Sequence, residues 1–181
     1  MKSIFGNRIK VSAVTFIIVL IFIIIEHYNG GVVTHHLLAR EDLPGISNWW
    51  GLLTIPLLGW VVSTLITHKR NKKVKSEQNL KEYNNISKRF LAALLFGIVV
   101  LILWEFNLVN VLQYFILLPI LIALFIPVHL PEFLLGFVLG MMYTFGGILP
   151  IIVGLVLLTI CFVINALIRF LKSVISPTLN N

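Results

Sequence analysis

The stretch GGVVTHHLLAREDLPGISNWWG, residues 30–51, gathers two adjacent histidines, His35 and His36, two adjacent carboxylates, Glu41 and Asp42, and one arginine, Arg40. Just before it, the first apolar run closes on Glu26 and His27. Imidazole and carboxylate together suit a divalent transition metal such as zinc, iron, copper or nickel. The same groups can relay protons, because histidine titrates near neutrality. The candidate metal ligands are therefore His27, His35, His36 and Asp42, with Glu26 and Glu105 as the catalytic candidates. The spacing matches no established catalytic pattern, since HExxH, GxSxG, the phosphate loop and GxGxxG are all missing. A solvated loop whose histidines bind nothing is the competing reading.

What must position these groups follows from composition. The chain has 181 residues, 59% of them hydrophobic and only 12% charged, with a mean hydropathy of +1.00. That balance lies well outside the range of soluble domains and implies an integral membrane protein. In a bilayer core every backbone amide must be satisfied within its own segment, so long apolar runs without strand-like alternation imply helices. The fold class is all-α. The lone Cys161 lies in an apolar run, which excludes an intrachain disulfide and a cysteine zinc site.

Apolar runs at about 9–25, 49–67, 90–105, 108–126, 132–145 and 148–170 predict six transmembrane helices in a single membrane domain, the third and fifth being short. Six crossings put both termini on one side. With the termini inside, every basic residue except Arg40 falls on the cytoplasmic face, including the loop at 68–89. The net charge of +7 therefore reads as a topology signal for the cell membrane, with membrane lipids as partners and no nucleic acid. Tyr28, Trp49, Trp50, Trp104, Tyr114 and Tyr143 fall near the outer interface, where amphipathic rings prefer to sit. Trp60 is the exception.

Glu26 and Glu105 are each 16 residues beyond a cytoplasmic basic residue, Lys10 and Arg89 respectively. At 1.5 Å per residue this is about 24 Å, slightly below the outer boundary of a layer about 30 Å thick. Ionisable groups at that depth tend to face the bundle interior or a wet cavity. If the two helices meet, the pair would share a proton or a cation; if not, both side chains reach the headgroups as ordinary helix ends. A loose repeat adds company: Asn29 and Asn48 accompany Glu26, and Asn107 and Asn110 accompany Glu105.

Gly30, Gly31 and Pro44 bracket a segment that Thr34 could cap, which predicts a short interfacial helix from Thr34 to Asp42. Gly136 and Gly140 form GxxxG, the mark of a close helix contact within the chain or in a homo-oligomer or with a membrane partner. Three functions fit these features. The leading one is proton- or cation-coupled transport through an outward-facing Glu/His site. The second is a metal-dependent membrane enzyme acting on a lipid or lipid-linked substrate at the outer leaflet. The third is a non-catalytic assembly or accessory subunit.

Overall fold

The computed structural model describes residues 4–36, 42, 44–71 and 76–175, with the side chains of 4, 36, 70, 71, 76–84, 172, 174 and 175 outside that description. Helix α1 (Arg8–Tyr28) starts where the Asn7 side chain accepts from the backbone N–H groups of Ile9, 3.1 Å, and Lys10, 3.3 Å. Such a cap satisfies donors that the first turn cannot. The helix ends at Gly30 and Gly31, whose φ angles of 118° and 112° suit only glycine.

The next segment departs from the predicted interfacial helix. Thr34–His36 forms strand β1, paired antiparallel with β2 (Gly45–Ser47), His35 lying opposite Ile46. Asn48 N–H extends the ladder by donating to Val33 O at 3.0 Å. The β-branched run Val32, Val33 and Thr34 favours extended backbone, and the returning segment supplies hydrogen bonds that a lone cap at Thr34 cannot match. Among the described residues the regular structure is thus helical apart from one small hairpin, and residues 37–41 and 43 of the predicted helix lie outside the described set.

Ser47 Oγ accepts from Trp49 N–H at 3.4 Å, opening a single 3-10 turn that feeds α2 (Gly51–Asn71). Helices α1 and α2 pack antiparallel because their seam is narrow. Gly59 sits against Thr15 and Val11, Ser12 Oγ donates to Pro56 O at 3.1 Å, and the fully buried Ser63 donates to Phe5 O at 2.9 Å. Trp60, out of place in the aromatic pattern, lies under the Arg8 guanidinium at 4.9 Å, a cation–π arrangement.

Helix α3 (Ser76–Glu105) begins well before its apolar run, so most of the basic loop expected at 68–89 is helical, continuing α2 to Asn71 and α3 from Ser76. The fourth apolar run is divided into α4 (Val109–Phe115) and α5 (Leu118–Ala123). Pro119, in the first turn of α5, has no N–H to continue the ladder. Helix α6 (Pro131–Phe145) runs parallel to α3, and α7 (Ile148–Ile175) returns.

The α3–α6 contact is the closest in the molecule's core. A Cβ on Gly136 would meet Phe90 O, one on Gly140 would meet Leu94 O and Gly97 Cα, and one on Gly97 would lie 2.7 Å from Phe137 O. The GxxxG pair therefore serves contact within the chain. Arg89 and Glu132 close the basic end of this seam with an ion pair at 3.2 Å, Glu132 being buried.

Among the described residues, four helical segments are long and apolar enough to cross a membrane: Arg8–Tyr28, Asn48–Lys69, Asn85–Glu105 and Ile148–Leu171. Val109–Ala123 and Pro131–Phe145 are shorter apolar helices. Large apolar side chains such as Ile17, Leu53, Leu95 and Phe162 are exposed around the bundle, as expected where hydrocarbon is the solvent.

Candidate functional site

The hairpin folds over the end of the bundle where α1 finishes and α2 begins. There Asn48, buried, donates from Nδ2 to Glu26 Oε1 at 2.6 Å. Val33 N–H approaches Glu26 Oε2 at 3.4 Å, so both carboxyl oxygens face donors. The short distance to Asn48 is that of a charge-assisted bond. Asn48 is held in turn by its N–H on Val33 O and by its position in the first turn leading to α2.

His35 completes the cluster. Its strand position aims the ring at Gly146, where a Cβ would lie 3.1 Å from His35 Cδ2 and would overlap Asn48 Oδ1. Gly146 has φ 68° and ends α6. Only glycine meets both demands: the left-handed backbone and the empty space for two side chains. Thus α6 contributes a bare backbone patch against which the Asn48 amide and the His35 imidazole lie.

His35 Nε2 is buried and has no hydrogen-bond partner among the described residues. Burial pushes the imidazole below its usual range, and the nearby Glu26 carboxylate opposes that shift in part. Burial therefore favours the neutral ring. Glu26, Asn48 and His35 therefore form a polar cluster: a carboxylate fixed by an amide, near an imidazole whose Nε2 has no hydrogen-bond partner among the described residues. No family model, curated protein or solved structure matches this chain.

Glu105 is exposed and accepts from Thr144 Oγ1 at 2.7 Å. Helix α1 packs on α2 and α3 on α6, so the two glutamates take different partners, and no hydrogen bond joins them among the described residues. His27 is exposed, its ring edge-on to Tyr28. Asp42 is exposed, and the side chain of His36 lies outside the described residues. Among the described residues, no three His, Cys, Asp or Glu side chains converge as a metal site would require.

Two partners are not marked as site residues by the sequence. Gly146 reads as a turn glycine, and only its positive φ and its neighbours show its second use. Asn48 stands in the Glu/Asn repeat, but the matching pair does not form at Glu105, which is taken by Thr144 rather than Asn110.

The His35 environment makes a directional prediction for stability. Its pKa is lower folded than unfolded, so between the two values the unfolded chain binds more protons and stability rises with pH. Acidification below the usual imidazole range should therefore lower the melting temperature of the detergent-solubilised protein. His129, lowered by burial and by Arg169 and Lys69, contributes in the same direction. His35→Gln and His129→Gln should each flatten the melting temperature between pH 8 and pH 5. A slope unchanged in both variants would show that neither imidazole is held as described.

Proposed function

We propose that the protein is a multi-pass membrane enzyme whose Glu26–Asn48–His35 cluster performs general acid–base chemistry on a lipid or lipid-linked substrate at the outer leaflet. The observation that carries this reading is the Asn48-fixed carboxylate beside a buried His35 nitrogen with no partner among the described residues, which is what an acid–base pair awaiting a substrate requires. Exposed Tyr28, Trp49, Trp50 and Tyr143 surround that end of the bundle. Aromatic side chains of this kind prefer the headgroup level of a bilayer, where a lipid's polar part would reach the cluster.

The chain is taken to cross the cell membrane six times as a single domain, termini inside. The short pair α4 and α5 and the short α6 supply the fourth and fifth crossings. Cysteine labelling of intact cells, with Cys161 first replaced by serine, tests this directly. Ser47→Cys should react with an impermeant maleimide from outside and Ser76→Cys should not; external labelling at position 76 would overturn the orientation.

The chemistry has its own test. Protein reconstituted in vesicles of total membrane lipid should change the abundance of at least one lipid species, read by mass spectrometry. Glu26→Gln should slow that change by about 10²- to 10⁴-fold, the usual worth of a positioned acid or base. Unchanged lipid profiles with correctly inserted wild-type protein would remove the enzyme reading.

Coupled transport is the second reading, favoured by Pro56, which interrupts the α2 ladder within the span beside Ser12. Against it, the hydroxyls of Ser12, Thr15, Ser63 and Thr67 all donate to backbone carbonyls. These four leave no chain of uncommitted hydroxyls beneath Glu26. Proton flux into vesicles that disappears in Glu26→Gln would favour transport over the enzyme.

A further inference from the structure

A second site lies at the opposite end of the bundle, away from the acid–base cluster and independent of it. A cavity of about 340 Å³ is lined by residues of α3, α5, α6 and α7. That is within the range of pockets that hold small ligands. Its α3 wall is one helical face, Lys88, Ala92, Phe96 and their neighbours Arg89 and Ala93. From Arg89 to Phe96 the wall rises about 10 Å at 1.5 Å per residue. Beyond the two cations the lining is almost entirely apolar, with Pro119 and Ile122 facing Leu157 and Cys161.

We propose that this cavity binds an anionic phospholipid of the surrounding bilayer, one acyl chain in the cavity and the phosphate at Lys88 and Arg89. The charges sit at the end of the bundle that also carries Lys69 and Arg169, which is the headgroup level if the chain crosses as proposed above. The apolar depth runs from there toward the middle of the membrane. Lys88 is exposed. Arg89 uses one guanidinium nitrogen on Glu132 and keeps donors for a phosphate, since the group carries five. Glu132 thus orients Arg89 without consuming its capacity.

Native mass spectrometry of the full chain in detergent tests the proposal, with dioleoyl phosphatidylglycerol, dioleoyl phosphatidylcholine or inorganic phosphate added. One phosphatidylglycerol should remain bound per chain, and phosphatidylcholine should bind more weakly. Lys88→Gln, a change at an exposed position, should weaken phosphatidylglycerol by about fivefold, the worth of one cation near an anionic headgroup. Ala92→Trp, which fills the cavity from its mouth, should lose the bound lipid by about tenfold or more. Equal retention of the two lipids by the wild type, or unchanged phosphatidylglycerol binding in Lys88→Gln, would overturn the proposal. Retention of inorganic phosphate with no lipid bound would overturn the assignment to a lipid.

Discussion

Gly140→Leu should unfold the tertiary structure of this protein readily, while leaving its helix content nearly intact. The reason lies in what the new side chain would meet. Even a Cβ at position 140 falls against Leu94 O, Gly97 Cα and Ile98 N, all backbone atoms that cannot rotate away. Overpacking of a well-packed interior typically costs about 1–3 kcal/mol, and displacement of a whole helix belongs at the upper end. In a membrane, helices associate largely through van der Waals packing of this sort, because lipid offers no hydrophobic drive between them.

Separation of α3 from α6 also strains two polar contacts that bracket the seam, Arg89 with Glu132 and Glu105 with Thr144. Breaking a buried ion pair leaves an uncompensated charge, at a cost of up to about 3–5 kcal/mol. Unfolding by sodium dodecyl sulfate, followed by tryptophan fluorescence, measures the loss; far-ultraviolet circular dichroism should change little. Gly59→Ala offers the contrast, since its Cβ would lie 3.0 Å from the Thr15 hydroxyl, a side-chain atom that can shift. If Gly140→Leu unfolds at the wild-type detergent fraction, the seam is not what holds α6.

That seam is half legible in the sequence. Gly136 and Gly140 announce a close contact by their spacing, yet Gly97, which Gly140 meets, carries no local mark and lies 43 positions before it. The same limit governs the other elements. Long apolar runs reveal helices because a bilayer leaves the backbone no alternative. The start of α3 at Ser76 is invisible to hydropathy, because its first turns are polar. Local rules turn the hairpin into a helix because Thr34 is a valid cap, and a three-residue strand has too short a pattern to compete. Its partner at Gly45–Ser47 decides the matter. At the site, Glu26 and His35 are recognisable as residue types, but the matched depth of Glu26 and Glu105 says nothing about who faces whom. Glu132 illustrates the point: nothing in PVHLPEF shows that its carboxyl will find Arg89, 43 residues earlier.

The sharpest test of the outer site exchanges its two hydrogen-bonding partners. Asn48→Asp alone removes the amide donor from Glu26 and places two carboxyl groups at a contact that is now 2.6 Å between donor and acceptor. A lost hydrogen bond to a charged group costs about 1.5–3 kcal/mol, and like-charge repulsion adds to it. The hairpin should loosen, the melting temperature should fall, and the deficit should shrink on acidification as a proton restores a donor between the two groups. Glu26→Gln combined with Asn48→Asp then reverses the polarity, the new amide at position 26 donating to the new carboxylate at position 48. The geometry and the net charge of the pair are conserved, so the double variant should recover most of the stability lost in Asn48→Asp. Activity should not recover with it. The carboxylate would now sit on the α2 side, buried against Gly146 and displaced from the position that the Glu26 carboxylate holds, and a misplacement of about 1 Å can cost 10²-fold in rate. Recovery of both stability and lipid turnover would mean that the pair serves only to hold the hairpin. Recovery of stability without turnover would assign the chemistry to the carboxylate at position 26 itself.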